Sequence, residues 1–178
     1  QDHLITVSQL TEETFAATDN SAPEQDCSQQ SDQKAEEMTP QLQTWGILSI
    51  PAIDLEEIVS EGVSAYVLNY SIGHIQDTAF PSEAGGNCVL SGHRSYTYGR
   101  NFNRLNELKA GDEVLLETAD LIYHYTVTES YVVKPDDLSV LETTEESTLT
   151  LITCTPIYTA THRLIVRCTL SEVTERVE

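Results

Sequence analysis

A cysteine that ends a predicted strand is the first candidate for chemistry in this sequence. Cys154 follows the β-branched and apolar run 150–153, and Pro156 ends the strand two residues later. A thiol at the end of a strand can be partly exposed while its backbone is held rigidly, which suits a nucleophile. A core cysteine that happens to end a strand is the alternative, and the spacing alone leaves both open.

A histidine with the right neighbours follows a different predicted strand. His93 comes directly after Gly92, and a glycine lets the backbone turn sharply and bring the ring close to other parts of the chain. Because its ordinary pKa is about 6.5, an imidazole can exchange a proton with a thiol or a leaving amine near neutral pH. A surface or core histidine is the alternative, and His162 is the competitor for the catalytic role.

An arginine comes nine residues after the cysteine, at the start of the next predicted strand. If the two strands pair as antiparallel neighbours, this spacing returns Arg163 to a position beside Cys154. A guanidinium there can stabilise an oxyanion on the attacked carbonyl group or orient the substrate. An exposed salt bridge is the alternative reading in so acidic a chain.

The charge balance narrows the possible partners. The 178 residues include 29 acidic and 9 basic side chains, for a formal net charge of −20. Such a surface repels phosphate backbones and anionic lipid, so the sequence argues against nucleic-acid binding and against a basic membrane-docking face. It favours partners that carry free amines. Because no run approaches about 18 apolar residues, we expect any membrane anchor to lie outside this sequence.

The four cysteines do not form a recognisable metal or disulfide pattern. They are Cys27, Cys88, Cys154 and Cys168, and no CxxC pair occurs. We expect Cys88 and Cys168 to be buried thiols, since both lie in apolar runs. A disulfide between them requires that their strands be neighbours. A zinc site that includes Cys154 and His93 stays open as an alternative.

The hydrophobic pattern indicates an all-β domain, with about seven or eight short strands that form a closed or nearly closed barrel. The segment 64–70 reads as a helix or a strand, and 102–108 as a helix of one to two turns. The remaining segments are predicted strands: 45–50, 55–60, 87–90, 113–117, 121–133, 147–154 and 162–170.

The first part of the chain has a different composition from the rest. Residues 18–34 are rich in Ser, Asp, Gln and Glu and cannot bury enough apolar surface to fold alone. Residues 7–17 form an amphipathic stretch that could dock on the domain. We therefore divide the chain into an N-terminal juxtamembrane arm, 1–44, and a catalytic domain, 45–178. One hypothesis is that residues 1–40 fold over the substrate groove and restrain activity.

Several segments together resemble the sortases, which are cysteine transpeptidases of Gram-positive bacteria. Leu-Ile-Thr-Cys154-Thr-Pro and Thr-His-Arg163-Leu-Ile-Val-Arg are similar to the nucleophile and arginine strands of the class C and class D/E branches. Asn87-Cys-Val-Leu-Ser-Gly-His93-Arg resembles the histidine segment of that family. Residues 102–114 resemble the family's next segment along the chain, and 46–51 its opening strand. The resemblance runs in collinear order over about residues 45–170.

The resemblance implies an eight-stranded sortase-type β-barrel with short helices. It assigns Cys154 as the nucleophile, His93 as the general acid and base, and Arg163 as the cation for the oxyanion or the substrate. It also implies a sorting signal of the Leu-Pro-x-Thr-Gly type, cleaved between Thr and Gly through a thioacyl intermediate. The acceptor would be an amine of lipid II, a peptidoglycan cross-bridge or a pilin lysine, on the outer face of the cell membrane.

Three more residues are expected to contact the substrate: Thr153, Ser91 and Tyr96. For Tyr96, which follows His93 closely, the favoured alternative is that it covers the barrel mouth. We expect no cofactor. Calcium is an open possibility, since some sortases bind it through acidic loop residues, here Asp136, Asp137, Glu145 and Glu146.

Two other functions stay open. One is a cysteine peptidase that only hydrolyses, and the other is a non-catalytic envelope-binding domain. The pilin-polymerising branch usually carries a lid with an Asp-Pro-aromatic motif, and residues 1–44 lack such a motif.

Overall fold

The computed structural model describes residues 41–177, and these form a closed barrel of eight strands. The order around the barrel is β1-β2-β3-β4-β7-β8-β6-β5. One α-helix and three short 3-10 turns connect the strands in this part of the chain. The elements are β1 (Thr44–Ile50), a 3-10 turn (Pro51–Ile53), β2 (Leu55–Glu61), α1 (Ala65–Tyr70), β3 (Ile72–His74), β4 (Gly86–Ser91), a 3-10 turn (Leu105–Glu107), β5 (Glu113–Glu117), β6 (Leu121–Val133), a 3-10 turn (Leu138–Leu141), β7 (Ser147–Thr155) and β8 (His162–Glu175).

The central strand of the catalytic side is β7, which pairs with β4 in parallel and with β8 in antiparallel orientation. It is buried from Ser147 to Thr153 and becomes half-exposed at Cys154. A strand covered on both faces reads as a nearly continuous apolar and β-branched run, as this one does. The sequence pattern therefore marks both the burial of β7 and its emergence at the cysteine.

The barrel interior holds the main hydrophobic core, and a smaller cluster lies on the outer face of β7. In the interior, Leu48, Phe102 and Leu151 are fully buried. The outer cluster includes Ile152 of β7 and Val140 of the turn that covers it. Because successive side chains of a strand point to opposite faces, β7 contributes to both clusters and is fixed from two sides.

The predicted all-β class and barrel closure are confirmed, with differences at short elements. Residues 65–70 form a helix, and the Ser64 side chain caps it by accepting a hydrogen bond from the Val67 N–H at 3.3 Å. The helix expected over 102–108 is a single 3-10 turn, Leu105–Glu107. The sequence analysis missed β3, and β8 continues five residues beyond its predicted end to Glu175.

The two buried cysteines of the barrel do not lie on neighbouring strands. In the register, Cys88 of β4 pairs with Leu149 of β7, which in turn pairs with Cys168 of β8. Both thiols are free and buried, and burial raises the pKa of each, that of Cys168 to about 12. The condition for a disulfide is therefore not met, and both thiols act as small apolar side chains.

The predicted arm falls mostly outside the described residues. Its docking stretch 7–17, the hypothesis that residues 1–40 cover the groove, and Cys27 all lie there. The domain is expected to begin at residue 45, and β1 begins at Thr44. Within 41–177, no helix is long and apolar enough to cross a membrane.

Candidate active site

The pairing of three adjacent strands places the candidate catalytic residues at one level of the barrel. β4 and β7 run parallel with a constant offset of 61 positions, as in Ser91 with Ile152. The same offset continues beyond β4. The Gly92 N–H donates a hydrogen bond to the Ile152 carbonyl oxygen at 3.1 Å, and the Thr153 hydroxyl donates one to the Gly92 carbonyl oxygen at 2.8 Å. One residue further on, this offset brings His93 level with Cys154.

The other neighbour of β7 brings in the arginine. Cys154 and Arg163 are direct cross-strand partners in the antiparallel β7–β8 pair. This register confirms the pairing that their nine-residue spacing predicts. His93, two residues beyond the end of β4, therefore lies level with Cys154 and Arg163, which are partners on β7 and β8.

All three side chains line one surface cleft of about 940 Å³. The remaining walls come from the end of α1, through Leu68 and Asn69, and from the loops that follow β4 and β7. A cleft of this size is in the range that holds a small ligand or several residues of a peptide. The arrangement gives a nucleophile, a proton carrier and a cation access to the same bound group.

Burial and the two nearest cations act in opposite directions on the thiol. Burial raises the pKa of Cys154, while the charges of Arg163 and Arg94 lower it, and the balance leaves the pKa above its ordinary 9.0. Burial also lowers the pKa of His93 below its ordinary 6.5. Near neutral pH the pair is therefore mostly an uncharged thiol and an uncharged imidazole, and the thiolate needed for attack is a minor form.

Arg163 is held rigidly although it carries a charge. Only 3% of it is exposed, and its Nη1 donates hydrogen bonds to the carbonyl oxygens of Ala160 at 3.1 Å and His162 at 3.0 Å. Ala160 has a positive φ of 51°, which directs its carbonyl back toward the strand that follows. The loop between β7 and β8 thus orients the guanidinium before any substrate is bound.

Arg94 is a cleft residue to which the sequence analysis gave no role. Its Nη1 donates to the Thr155 hydroxyl at 2.8 Å and its Nη2 to Asn106 Oδ1 at 2.7 Å. Arg94 comes directly after His93, and Thr155 directly after Cys154, so this side chain ties the two catalytic segments together. Its position next to the histidine was the signal in the sequence that could have pointed to it.

The glycine before the histidine is required by close packing. A Cβ at Gly92 would lie 2.7 Å from Ile72 Cδ1 and 2.8 Å from Phe102 Cδ2, and both of these side chains are fully buried. Close packing therefore requires a glycine here, and the sharp turn that the sequence analysis attributes to Gly92 stays a prediction.

The residues expected to contact substrate fall into two groups. Tyr96 lines the cleft and stacks on Tyr158 of the opposite loop, with ring centroids 5.6 Å apart. Thr153 and Ser91 do not line it, because both side chains are buried within the barrel wall. Their assignment as substrate contacts is corrected: Thr153 holds β7 against the Gly92 carbonyl. Tyr158 was missed, since exposed loop aromatics carry no periodic signal.

The competing histidine and the metal sites find no support in the described part of the chain. His162 is exposed, bonds to Thr161 at 2.9 Å and does not line the cleft. No group of three or more His, Cys, Asp or Glu side chains there is arranged to hold a metal ion. Of the residues considered for calcium, Asp137 instead accepts hydrogen bonds from the N–H and hydroxyl of Ser139.

A closed barrel with cysteine, histidine and arginine in one cleft defines a class of thiol enzyme. Residues 48–171 match the family model of the sortase domain, so the chain belongs to the sortase family. Sortase SrtE1 of Streptomyces coelicolor is 34% identical over 139 residues, which are 70% of this chain and 39% of that protein. Sortase D of Bacillus subtilis is 36% identical over 115 residues, 64% of this chain and 56% of that protein.

Solved structures show the same family resemblance. Sortase C-3 from Streptococcus pneumoniae superposes with a TM-score of 0.72 at 27% identity, covering 82% of this chain and 71% of that one. Sortase E1 from Streptomyces coelicolor, solved with a tripeptide in the active site, gives 0.68 at 32% identity, covering 75% and 91%. These matches include the class C and class E branches suggested by the motifs. The chain spans between about two fifths and just over half of the curated relatives named above.

Proposed function

We propose that the protein is a cysteine transpeptidase that cleaves a sorting signal and transfers its acyl part to an amine. The observation that carries this proposal is that His93, Cys154 and Arg163 line one cleft, with Cys154 and Arg163 as direct cross-strand partners. Each group has one role in an acyl transfer, and no second nucleophile is needed. The site uses the side chains of the chain itself, without a cofactor.

The first half-reaction forms a thioester. The Cys154 thiol first gives its proton to His93. The resulting thiolate attacks the Thr carbonyl carbon of a Leu-Pro-x-Thr-Gly-type signal, and an S–C bond forms. When the tetrahedral intermediate collapses, the C–N bond to Gly breaks. The His93 imidazolium gives its proton to the departing amine, so the Gly segment leaves with a neutral amino group.

The second half-reaction reverses these proton movements. An incoming amine attacks the thioester carbonyl carbon, and neutral His93 takes the proton that the amine loses. The C–S bond then breaks, and the Cys154 thiolate is regenerated. The net result exchanges one amide bond for another, so the reaction consumes neither an oxidant nor ATP.

Arg163 supplies the charge that both half-reactions need. Each tetrahedral intermediate carries a negative oxygen, and a cation already fixed in place stabilises it without reorganisation. Arg163 meets this condition because two carbonyl oxygens orient it and burial keeps water away. Its position as the cross-strand partner of Cys154 supports this role.

The proposed partners follow from the family. Donors are surface proteins or pilins with a C-terminal sorting signal, and the acceptor is an amine of lipid II, a peptidoglycan cross-bridge or a pilin lysine. The tripeptide in the active site of sortase E1 supports a peptide as the ligand of the cleft. We place the reaction at the outer face of a Gram-positive membrane, to which a segment outside this sequence would attach the enzyme.

The decisive test is mass spectrometry of products from a panel of Leu-Pro-x-Thr-Gly-type peptides. The full chain and its Cys154→Ala variant are compared with and without added amines. We expect cleavage between Thr and Gly that requires Cys154, with the amine joined to Thr. Release of the free Thr acid at the same rate, whatever amine is added, would identify a hydrolytic peptidase instead. Binding without cleavage, together with slow alkylation of Cys154, would identify a binding domain.

A further inference from the structure

The catalytic cleft is a cationic region in a strongly acidic protein. The whole chain has 29 acidic and 9 basic residues. Three arginines line the cleft, Arg94, Arg100 and Arg163, and no Asp or Glu is among the residues that line it. One third of the basic side chains therefore line this site. A carboxylate that enters the cleft meets positive charge, whereas the net charge of the protein is negative.

The arginines of the barrel surface have a different environment. Arg104 forms an ion pair with Glu107 at 2.8 Å, and Arg176 lies 3.9 Å from Glu117. Their charges are offset by acidic neighbours of the same chain. Within residues 41–177, no ion pair joins Arg100 to a carboxylate, and its side chain is exposed at the cleft.

Arg94 and Arg100 also differ in their freedom to bind a ligand. The guanidinium of Arg94 is bonded to Thr155 and Asn106 and is fixed in the wall of the cleft. Arg163 and Arg94 are the cations whose charges act on the Cys154 thiol, and Arg100 is not among them. Arg100 is therefore available for a charge on a part of the substrate other than the scissile carbonyl group.

Two acidic residues adjoin the lining of the cleft without being part of it. Glu57 Oε1 accepts a hydrogen bond at 3.3 Å from the backbone N–H of Asn101, the residue after Arg100. Asp136 follows Pro135, which lines the other side of the cleft. Neither carboxylate lines the cleft itself, so neither replaces a ligand at Arg100.

We propose that Arg100 forms a subsite for a carboxylate on the sorting peptide, so that the enzyme prefers an acidic residue at the variable position of the signal. The donor peptide is the ligand concerned, because it must lie along the cleft before Cys154 can be acylated. This inference rests on the proposed function and adds a substrate class to it. We call the position the carboxylate subsite.

The acidic surface increases the selectivity of this subsite. Specificity is a difference between affinities, and repulsion from unsuitable positions contributes to it as much as attraction to the right one. A peptide carboxylate is repelled by the net negative charge of the protein and attracted by the arginines of the cleft, which favours one register of the peptide. Because Arg100 is exposed, its contribution is expected to be modest and to weaken as salt concentration rises.

A binding experiment tests the subsite independently of turnover. Fluorescein-labelled peptides that differ only at the variable position, Glu, Gln or Lys, are titrated with the full chain carrying Cys154→Ala. We expect the Glu peptide to bind about two- to five-fold more tightly than the Gln peptide at low salt. Arg100→Gln should abolish this preference, and Arg100→Glu should reverse it in favour of the Lys peptide.

Arg176→Gln is the matched control, since it removes the same charge from β8's far end, roughly 40 Å along the strand from Arg163. It should leave the preference unchanged. An equal loss in both variants would show a general charge effect and overturn the subsite, as would a preference that survives Arg100→Gln. If wild type cleaves no peptide but the Arg100-dependent preference holds, the proposed function fails and the subsite stands.

Discussion

The guanidinium of Arg94 donates a 2.8 Å hydrogen bond to the Thr155 hydroxyl. Because Arg94 follows His93 and Thr155 follows Cys154, this bond joins the two segments that carry the histidine and the cysteine. The bond joins the segment that follows β4 to the last residue of β7, and these two strands are parallel neighbours. Its charge also lowers the pKa of the Cys154 thiol. Arg94 is therefore a positioning residue with two separable effects, one mechanical and one electrostatic.

Substitutions at the two ends of this bond separate the effects. We expect Arg94→Gln to slow both turnover and Cys154 alkylation at pH 7, since the thiol loses a cation and its pKa rises further. Thr155→Val removes the bond but keeps the charge, so turnover should fall while the pH dependence of alkylation stays that of wild type. Alkylation rates measured by mass spectrometry between pH 6 and 10 check this. Identical pH profiles for Arg94→Gln and wild type would contradict the electrostatic part.

The pH dependence of activity follows from the directions of two pKa shifts. The pKa of His93 lies below 6.5 and that of Cys154 above 9.0. When the pH falls below the pKa of His93, the Cys154–His93 pair gains a proton. When the pH rises above the pKa of Cys154, the pair loses one, so kcat/KM should decline on both sides. We expect a broad maximum in between, measured with a fluorogenic signal peptide. Alkylation by iodoacetamide should instead keep rising beyond pH 9, because it needs only the thiolate.

Removing the cross-strand partner of the nucleophile should affect the chemical step most. We expect Arg163→Ala to lower kcat by about 10²- to 10³-fold, as the loss of an oxyanion-stabilising group typically does, with a smaller change in KM. Arg163→Lys keeps the charge but not the planar fork, and should recover only part of the loss. The measurement is steady-state kinetics on protein shown by circular dichroism to be folded.

Arg167→Ala is the control for that experiment. It lies four residues further along β8, 3.9 Å from Glu129, and does not line the cleft. Its substitution should leave kcat within about two-fold of wild type, as is usual for a residue without a role in transition-state binding. Equal losses at the two arginines would point to damage to β8 rather than to a catalytic role for Arg163.

A buried polar network makes β4 and β7 dependent on each other for stability. The Thr150 hydroxyl donates to Asn87 Oδ1 at 2.7 Å, and Asn87 Nδ2 donates at 3.0 Å to the carbonyl oxygens of Val140 and Glu142. Thr150→Val keeps the shape but leaves a buried amide oxygen without its donor. We expect a loss of about 1–3 kcal/mol in the free energy of unfolding, measured by urea denaturation.

Thr169→Val on β8 provides the comparison, because that threonine is half-buried. In the described residues the same change leaves no buried polar group without a hydrogen-bond partner. Its effect should stay within about 0.5 kcal/mol. If Thr150→Val proves equally mild, the network contributes packing rather than hydrogen bonding.

The sequence predicted the parts of the fold that have a long, regular pattern. β7 and β8 were recognisable because apolar and β-branched residues continue over many positions, and their spacing gave the Cys154–Arg163 pairing directly. β3 was missed because three residues, Ile72–His74, are too few to show alternation. The choice between helix and strand at 64–70 was settled by the Ser64 cap, a local bond that composition alone does not decide.

The residues proposed for catalysis could be named from the sequence, and their surroundings could not. Motif order and the resemblance to sortases pointed to Cys154, His93 and Arg163. The Arg94–Thr155 bond depends on the offset of 61 positions between β4 and β7, which only the assembled barrel reveals. Thr153 was misassigned for the same reason: alternation along β7 turns its side chain away from the cleft while Cys154 faces it.

The parallel pairing of β4 with β7 also determines when, during folding, the groups of the candidate active site come together. Asn87 pairs with Thr148, 61 positions later, so this contact requires a long stretch of chain to be ordered first. Pairings between distant segments form slowly, because the entropy of loop closure must be overcome before the contact is gained. Until the barrel closes, Cys154 is an isolated thiol with no imidazole and no guanidinium beside it. A newly made chain therefore lacks the grouping of thiol, imidazole and guanidinium that the proposed acyl transfer needs, and barrel closure is the step that brings the three together.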